Sequence, residues 1–280
     1  MQWLSDSILS MWDWVFGFWA DGMGMIQEIL TTSPDTLGGG VVWSTVRMIF
    51  SAILGVGYAL VVLFFYMGLF KTTAQLAELK RPEVAVISLI RLILTKIALD
   101  NGLTIITHII QICQSVISAI FASGAGLSQA GLPEEIRTAI VSAGFFNQLL
   151  LWLVTLIGIV VLVVIIAIII MSVYGRFFKI FVAASLAPLA LATFSAQPTQ
   201  RVGTSYLMSF VSLCLEGAMV AVACVLYGAF VQVLPEFSIL ENAPVLVQLL
   251  AYCVSVILQT SILAGMIQGA DWLMQKFLGI

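Results

Sequence analysis

Charge is what this chain lacks. Of its 280 residues, 9% are Asp, Glu, Lys or Arg, whereas 61% are hydrophobic, and the mean hydropathy is +1.14. Too little polar surface remains to clothe a soluble domain, so the composition is that of an integral membrane protein. No Lys or Arg precedes Arg47, so a cleavable signal peptide with a basic leading region is not expected. Histidine occurs once, at His108, which excludes a multi-histidine metal centre. None of GxxxxGK[ST], HExxH, GxSxG or CxxC is present, so the common nucleotide, metalloprotease, hydrolase and redox chemistries have no motif to rest on. Cys113, Cys214, Cys224 and Cys253 all lie in apolar segments and read as small buried hydrophobes. A non-enzymatic protein without a cofactor is the expectation. Its basic residues are too few to hold a nucleic-acid strand alone, although a ring of copies would multiply them.

What is abundant is apolar length. Five segments suit membrane crossing at about 20 residues each: 48–70, 103–121, 149–173, 206–233 and 245–270. Ser51, Gly55 and Ala59 in the first, and Ser261, Gly265 and Gly269 in the last, repeat small residues every fourth place, the spacing that lets another helix approach closely. Residues 84–99 are also apolar but carry Arg91 and Lys96 within 16 positions. That is short and costly for a crossing, so a basic helix at the inner interface is expected there, ending at Asp100-Asn101-Gly102. Residues 1–40 form a separate region. In it Asp6, Asp13, Asp21 and Glu28 fall within about 80° of one helix face, opposite Ile8, Trp12, Val15, Trp19 and Ile26, the pattern of an amphipathic helix lying in the membrane interface. Gly22 and Gly24 are candidate breaks in it. Residues 41–280 are the polytopic membrane domain.

The charges orient the chain. With the N-terminus outside and five crossings, the inner segments hold nine of the eleven basic residues: Lys71, Lys80, Arg81, Arg91, Lys96, Arg176, Lys179, Arg201 and Lys276. Arg47 and Arg137 alone fall outside, facing nine acids. That asymmetry is what the positive-inside rule demands. Counting 84–99 and 180–196 as further crossings gives a rival seven-span arrangement, which leaves both termini in place but puts Arg176 and Lys179 outside. In the five-span arrangement 180–196 begins and ends on the inner side. Pro188 removes a backbone donor in its middle, so a re-entrant hairpin or a pair of short sheltered helices is expected.

Two polar features interrupt the apolar spans. Thr104, Thr107, His108, Gln111, Gln114, Ser115 and Ser118 share a sector of about 120° on one helix, with Ile105, Ile109, Ile112, Val116 and Ile120 opposite. Such a stripe serves hydrogen bonding between helices or lines a polar path. Glu216 lies about eleven residues into its span, where an ionised carboxylate costs roughly 2.5–3.5 kcal/mol. It must face the bundle, pair or carry a proton. His108 and Gln111 are its candidate partners by depth, and a polar clamp and a transfer path are both open readings of the group Glu216, His108, Gln111, Thr104, Gln114 and Ser115.

One stretch carries a resemblance. RFFKIFVAASLAPLALATFSAQPTQRVGTSYLMSFVSLCLEGAMVAVACVLYG, residues 176–228, joins a basic-ended apolar span, an Ala-Pro-Leu core at 187–189 and a Gln-Pro-Thr-Gln-Arg break to a further span of small and polar character. It resembles the TrbL-like polytopic subunits of conjugal type IV secretion systems, and the compact length is similar to the shorter Gram-positive relatives. The family's large outer domain is missing here. The resemblance implies a homo-oligomeric, non-catalytic component of a DNA-transfer channel in the bacterial cytoplasmic membrane, working with other membrane subunits and a cytoplasmic ATPase. It further implies that Lys80, Arg81, Arg91, Lys96, Arg176, Lys179 and Arg201 meet the ATPase or a single-stranded DNA or protein–DNA substrate. A small-solute secondary transporter and a purely structural scaffold subunit are the alternative classes. The orientation has a direct check: a fluorescent protein that matures only in the cytoplasm is expected to fluoresce when fused to the C-terminus, and a dark, full-length fusion would reverse the assignment.

Overall fold

The computed structural model describes residues 2–33, 35–36, 40–73, 82–124, 131–233 and 243–279. Every regular element among them is helical: α1 (Gln2–Thr31), α2 (Val41–Thr73), α3 (Pro82–Asp100), α4 (Gly102–Ser123), α5 (Glu134–Ser142), α6 (Phe145–Ala192), a 3-10 turn (Thr193–Ser195), α7 (Gln200–Val233) and α8 (Val245–Leu278). Five of these, α2, α4, α6, α7 and α8, are long and apolar enough to cross a membrane. The chain divides into two compact units whose limits fall inside α4, α6, α7 and α8: residues 1–30, 117–174 and 219–270, and residues 31–116, 175–218 and 271–280.

In the first unit, α1 is a packed element. Ile8, Trp12 and Val15 enter one core with Leu132 before α5, Ile140 of α5, Leu151, Ile159 and Leu162 of α6, and Leu249, Cys253 and Val256 of α8. Trp12 meets Tyr252 edge-on at 5.4 Å and Trp19 tilts against Tyr227 at 5.9 Å. The apolar face expected to lie against lipid is therefore covered by protein. The helix also runs unbroken through both glycines. A Cβ on Gly22 would sit 3.4 Å from Ile166, so that glycine serves close contact with α6. The acids Asp6, Asp13, Asp21 and Glu28 stay exposed, and Asp13 pairs with Arg137 of α5 at 3.0 Å.

In the second unit, α2 packs against α3 and the 3-10 turn. Its buried line is Trp43, Val46, Phe50, Gly57 and Val61, whereas Ser51, Gly55 and Ala59 are exposed. The small-residue repeat permits close approach without compelling it; the aromatic and β-branched side chains bury more apolar area and win the inner face. Gly57 marks the tightest point. An added Cβ there would lie 3.0 Å from Leu99 and 3.2 Å from Pro188.

The expected re-entrant element at 180–196 does not form as a separate piece. Helix α6 continues through Pro188 and ends at Ala192, a helix of 48 residues, more than twice the about 20 that a single crossing needs. Proline removes one backbone donor and disturbs the preceding turn, yet the helix continues to Ala192. Near that turn the Tyr206 hydroxyl donates to the Ala183 carbonyl at 2.7 Å and Ser185 donates to Phe181 O at 2.8 Å. The chain reverses afterwards, in the Gln-Pro-Thr-Gln segment, where Thr199 donates to Thr193 O at 2.7 Å and Gly203 lies under Phe194. We expect Gly57→Leu to lower thermal stability in detergent by about 1–3 kcal/mol through overpacking, and Gly55→Leu, whose site is open, to leave the melting temperature unchanged.

Candidate functional site

The charges of the second unit gather where α6, α7 and the end of α8 supply them. Arg176 and Lys179 stand three residues apart on α6, on neighbouring positions of one face. Glu216 comes from α7 and Asp271 from α8. Lys179 Nζ donates to Asp271 Oδ2 at 3.1 Å, and both partners keep partial solvent exposure. Arg176 and Glu216 are different: only 4% and 6% of each is exposed. Arg176 and Lys179 both lie within electrostatic reach of Glu216, and no direct hydrogen bond or ion pair closes between Arg176 and Glu216. Arg176 Nε and Nη1 and Glu216 Oε2 are buried without a hydrogen-bond partner.

The backbone is shaped to admit this guanidinium. Gly217 follows Glu216, and a Cβ there would collide with Arg176 Nη1, Cζ and Nη2, so the planar group lies directly against the α7 main chain. On its other side Arg176 Cζ stands 5.2 Å from the centre of the Phe177 ring, a cation–π distance. The thiols of Cys113 on α4 and Cys214 on α7 are neighbours of each other and of the guanidinium. The result is a polar node with a buried part, Arg176 and Glu216, and a partly exposed ion pair, Lys179 and Asp271. Chemically it can hold charge and hydrogen-bond acceptors; it presents no nucleophile paired with a base.

The other expected site residues lie elsewhere. His108 and Gln111 do not contact Glu216; His108 Nδ1 pairs with Gln111 Oε1 at 3.3 Å. Gln114 donates to Thr32 O at 2.7 Å and Ser115 to Ile112 O at 2.7 Å. Thr104, His108, Gln111 and Ser115 are exposed, so the stripe points away from the chain's interior. Arg176, expected as an inner contact, is buried; it is a member of the node, because Gly217 leaves room for it. Lys179 is bound to Asp271. Arg91, Lys96 and Arg201 make no ion pair among the described residues, and Lys80 and Arg81 lie outside the described residues. Gly217, Asp271 and the Cys113–Cys214 pair escaped sequence reasoning. A glycine directly after an intramembrane glutamate was the available signal for close approach.

No family model and no curated protein matches the chain.

Removing one member of a buried charge group leaves the rest uncompensated, at about 3–5 kcal/mol when the partners are in contact. We expect Arg176→Gln and Glu216→Gln each to reduce the yield of monodisperse protein and its melting temperature. The double variant should sit closer to the parent than either single, a coupling that a thermodynamic cycle measures. Additive losses would show that the two residues do not act together.

Proposed function

We propose that the chain is a non-catalytic channel or scaffold component of a conjugative type IV secretion machine. In this reading it works as a homo-oligomer in the bacterial cytoplasmic membrane, with its N-terminus outside and its C-terminus in the cytoplasm. Separate cytoplasmic ATPases supply the energy, other membrane subunits complete the conduit, and single-stranded DNA or a protein–DNA complex is the cargo. The observation that carries the reading is the buried charge of Arg176 and Glu216, because ionisable groups within membrane helices are costly and concentrate along transfer paths and switches. Both residues fall within the 176–228 stretch that resembles the TrbL-like subunits. The exposed polar stripe of α4, with Thr104, His108, Gln111 and Ser115, is a second polar surface for lining a conduit or joining copies.

One observation favours a second reading, a small-solute transporter. One interruption meets α2 near its centre: the α3–α4 junction at Asn101, where the backbone bond Ile105 N to Asn101 O bridges the break. Leu99 of that junction and Pro188 of the unbroken α6 both approach Gly57, and Tyr58 donates to Asp100 beside them. A discontinuous helix is a feature of transporter binding sites.

The two readings separate in donor cells. Deletion of the chain is expected to abolish DNA transfer, with restoration by the parent gene and much weaker restoration by Glu216→Gln expressed at equal level. Transfer that survives deletion, together with solute uptake by the purified protein in liposomes, would favour the transporter.

A further inference from the structure

Lys179 has two carboxylates to choose between. Its Nζ donates to Asp271 Oδ2 at 3.1 Å, and the side chains of this pair are 50% and 36% exposed. A pair so open to water is screened and contributes little. Asp271 does not depend on it either, because Gln275, one turn further along α8, donates to Asp271 Oδ1 at 3.0 Å. Glu216 stands in the opposite position. It is almost fully buried, and its Oε2 has no hydrogen-bond partner.

The register of α6 against α7 brings Lys179 close to that carboxylate. Two contacts fix it: the Arg176 guanidinium lies against Gly217, and the Tyr206 hydroxyl donates to Ala183 O. Residue numbers rise along one helix as they fall along the other, so the two helices run antiparallel. Lys179 is three residues past Arg176, about 4.5 Å along the axis, which sets it within about one turn of Glu216. The flexible four-carbon stem of a lysine spans such a distance, and Lys179 lies within electrostatic reach of Glu216. Arg176, the other cation at hand, is held between the α7 backbone and the Phe177 ring and closes no ion pair with Glu216. Moving the Lys179 ammonium to Glu216 gives a buried carboxylate its missing partner and costs the ammonium part of its hydration. Gain and cost oppose each other, which is the condition for two arrangements of similar free energy.

We propose that Lys179 is a shared cation that exchanges between Asp271 at the end of α8 and Glu216 within α7. With Lys179 on Asp271, α6 is tied to α8 and Glu216 Oε2 stays unpaired. With Lys179 on Glu216, the buried carboxylate is paired and the end of α8 loses this tie to α6. Neutralising Asp271 therefore sends Lys179 to Glu216, so an event at the exposed end of α8 reaches the buried charges. The inference goes beyond the secretion reading and does not depend on it.

The test treats the full chain in membrane vesicles with a membrane-permeant carbodiimide, which condenses a lysine amine with a carboxylate in contact with it. Linked peptides are identified by mass spectrometry at equal amounts of protein. In the parent chain a Lys179–Asp271 link is expected as the main product. In Asp271→Asn that link is lost, and a Lys179–Glu216 link is expected in its place. Glu216→Gln, which removes the competing acceptor, is expected to raise the yield of the Asp271 link and decides the question even where Asp271→Asn fails to fold. Lys179→Arg, which keeps the charge without an amine, is the blank. A folded Asp271→Asn chain without the Glu216 link, or an Asp271 link whose yield does not rise in Glu216→Gln, would overturn the exchange. A parent chain that gives no Lys179–Asp271 link would overturn it as well, by removing the arrangement from which it starts.

Discussion

A guanidinium taken out of water constrains more of this protein than any other single group. The chain is 9% charged, yet it buries Arg176 almost fully and brings Glu216 into its field, while Lys179 and Asp271 act on Glu216 in turn. An isolated buried ion is prohibitively costly, and only opposite charges and hydrogen bonds offset the loss of hydration. That requirement ties α6 to α7 through the bare backbone at Gly217, and ties α6 to α8 through Lys179 and Asp271. Direct pairing of Arg176 with Glu216 is absent, and three of their polar atoms lack partners. A node satisfied only in part is a poor stabiliser and a good place for a change of state, because small rearrangements alter which groups are paired.

The helix pattern shows a second regularity. Amphipathic segments in this chain spend their apolar faces on protein, and α1 is the clearest case. Its tryptophan face looks suited to a lipid interface, but Trp12, stacked with Phe16 and edge-on to Tyr252, buries more area against α8 than a loosely anchored helix would gain. Helix α4 likewise keeps its polar groups outward and uses a narrow ridge of Ile and Cys for its own packing. The two helices resolve the contrast between their faces in the same sense. How much of the apolar face is covered differs, because Ile105, Ile112 and Val116 of α4 stay exposed.

Helix class, the number of long apolar helices and their approximate limits were legible from composition and length, because a run of apolar residues near 20 in a chain so poor in charge has few alternatives. The element at 180–196 was misread: Pro188 signalled a break, and the signal was correct about the missing donor. It could not reveal that α6 would continue through the proline to Ala192, with Tyr206 of the following helix bonded to Ala183 beside it. The small-residue repeat of α2 was similarly misleading. Its spacing describes what could approach, whereas Trp43 and Phe50 decided which face was buried. In the node, Glu216 was conspicuous as an acid in an apolar span, but its partners were assigned by depth to His108 and Gln111. Arg176 was assigned to the surface because basic residues at span ends ordinarily lie there.

Sequence by itself determined a helical chain with five helices long and apolar enough to cross a membrane, an acidic first helix and one carboxylate inside an apolar segment. These are sums over local composition and short-range period, which each segment carries on its own. Tertiary structure alone decided that Arg176 joins that carboxylate, that α1 packs into a core, that α6 survives its proline, and that the polar face of α4 is left open. Each depends on the assembled chain, where a missing Cβ at Gly217 admits the Arg176 guanidinium and no local pattern records it.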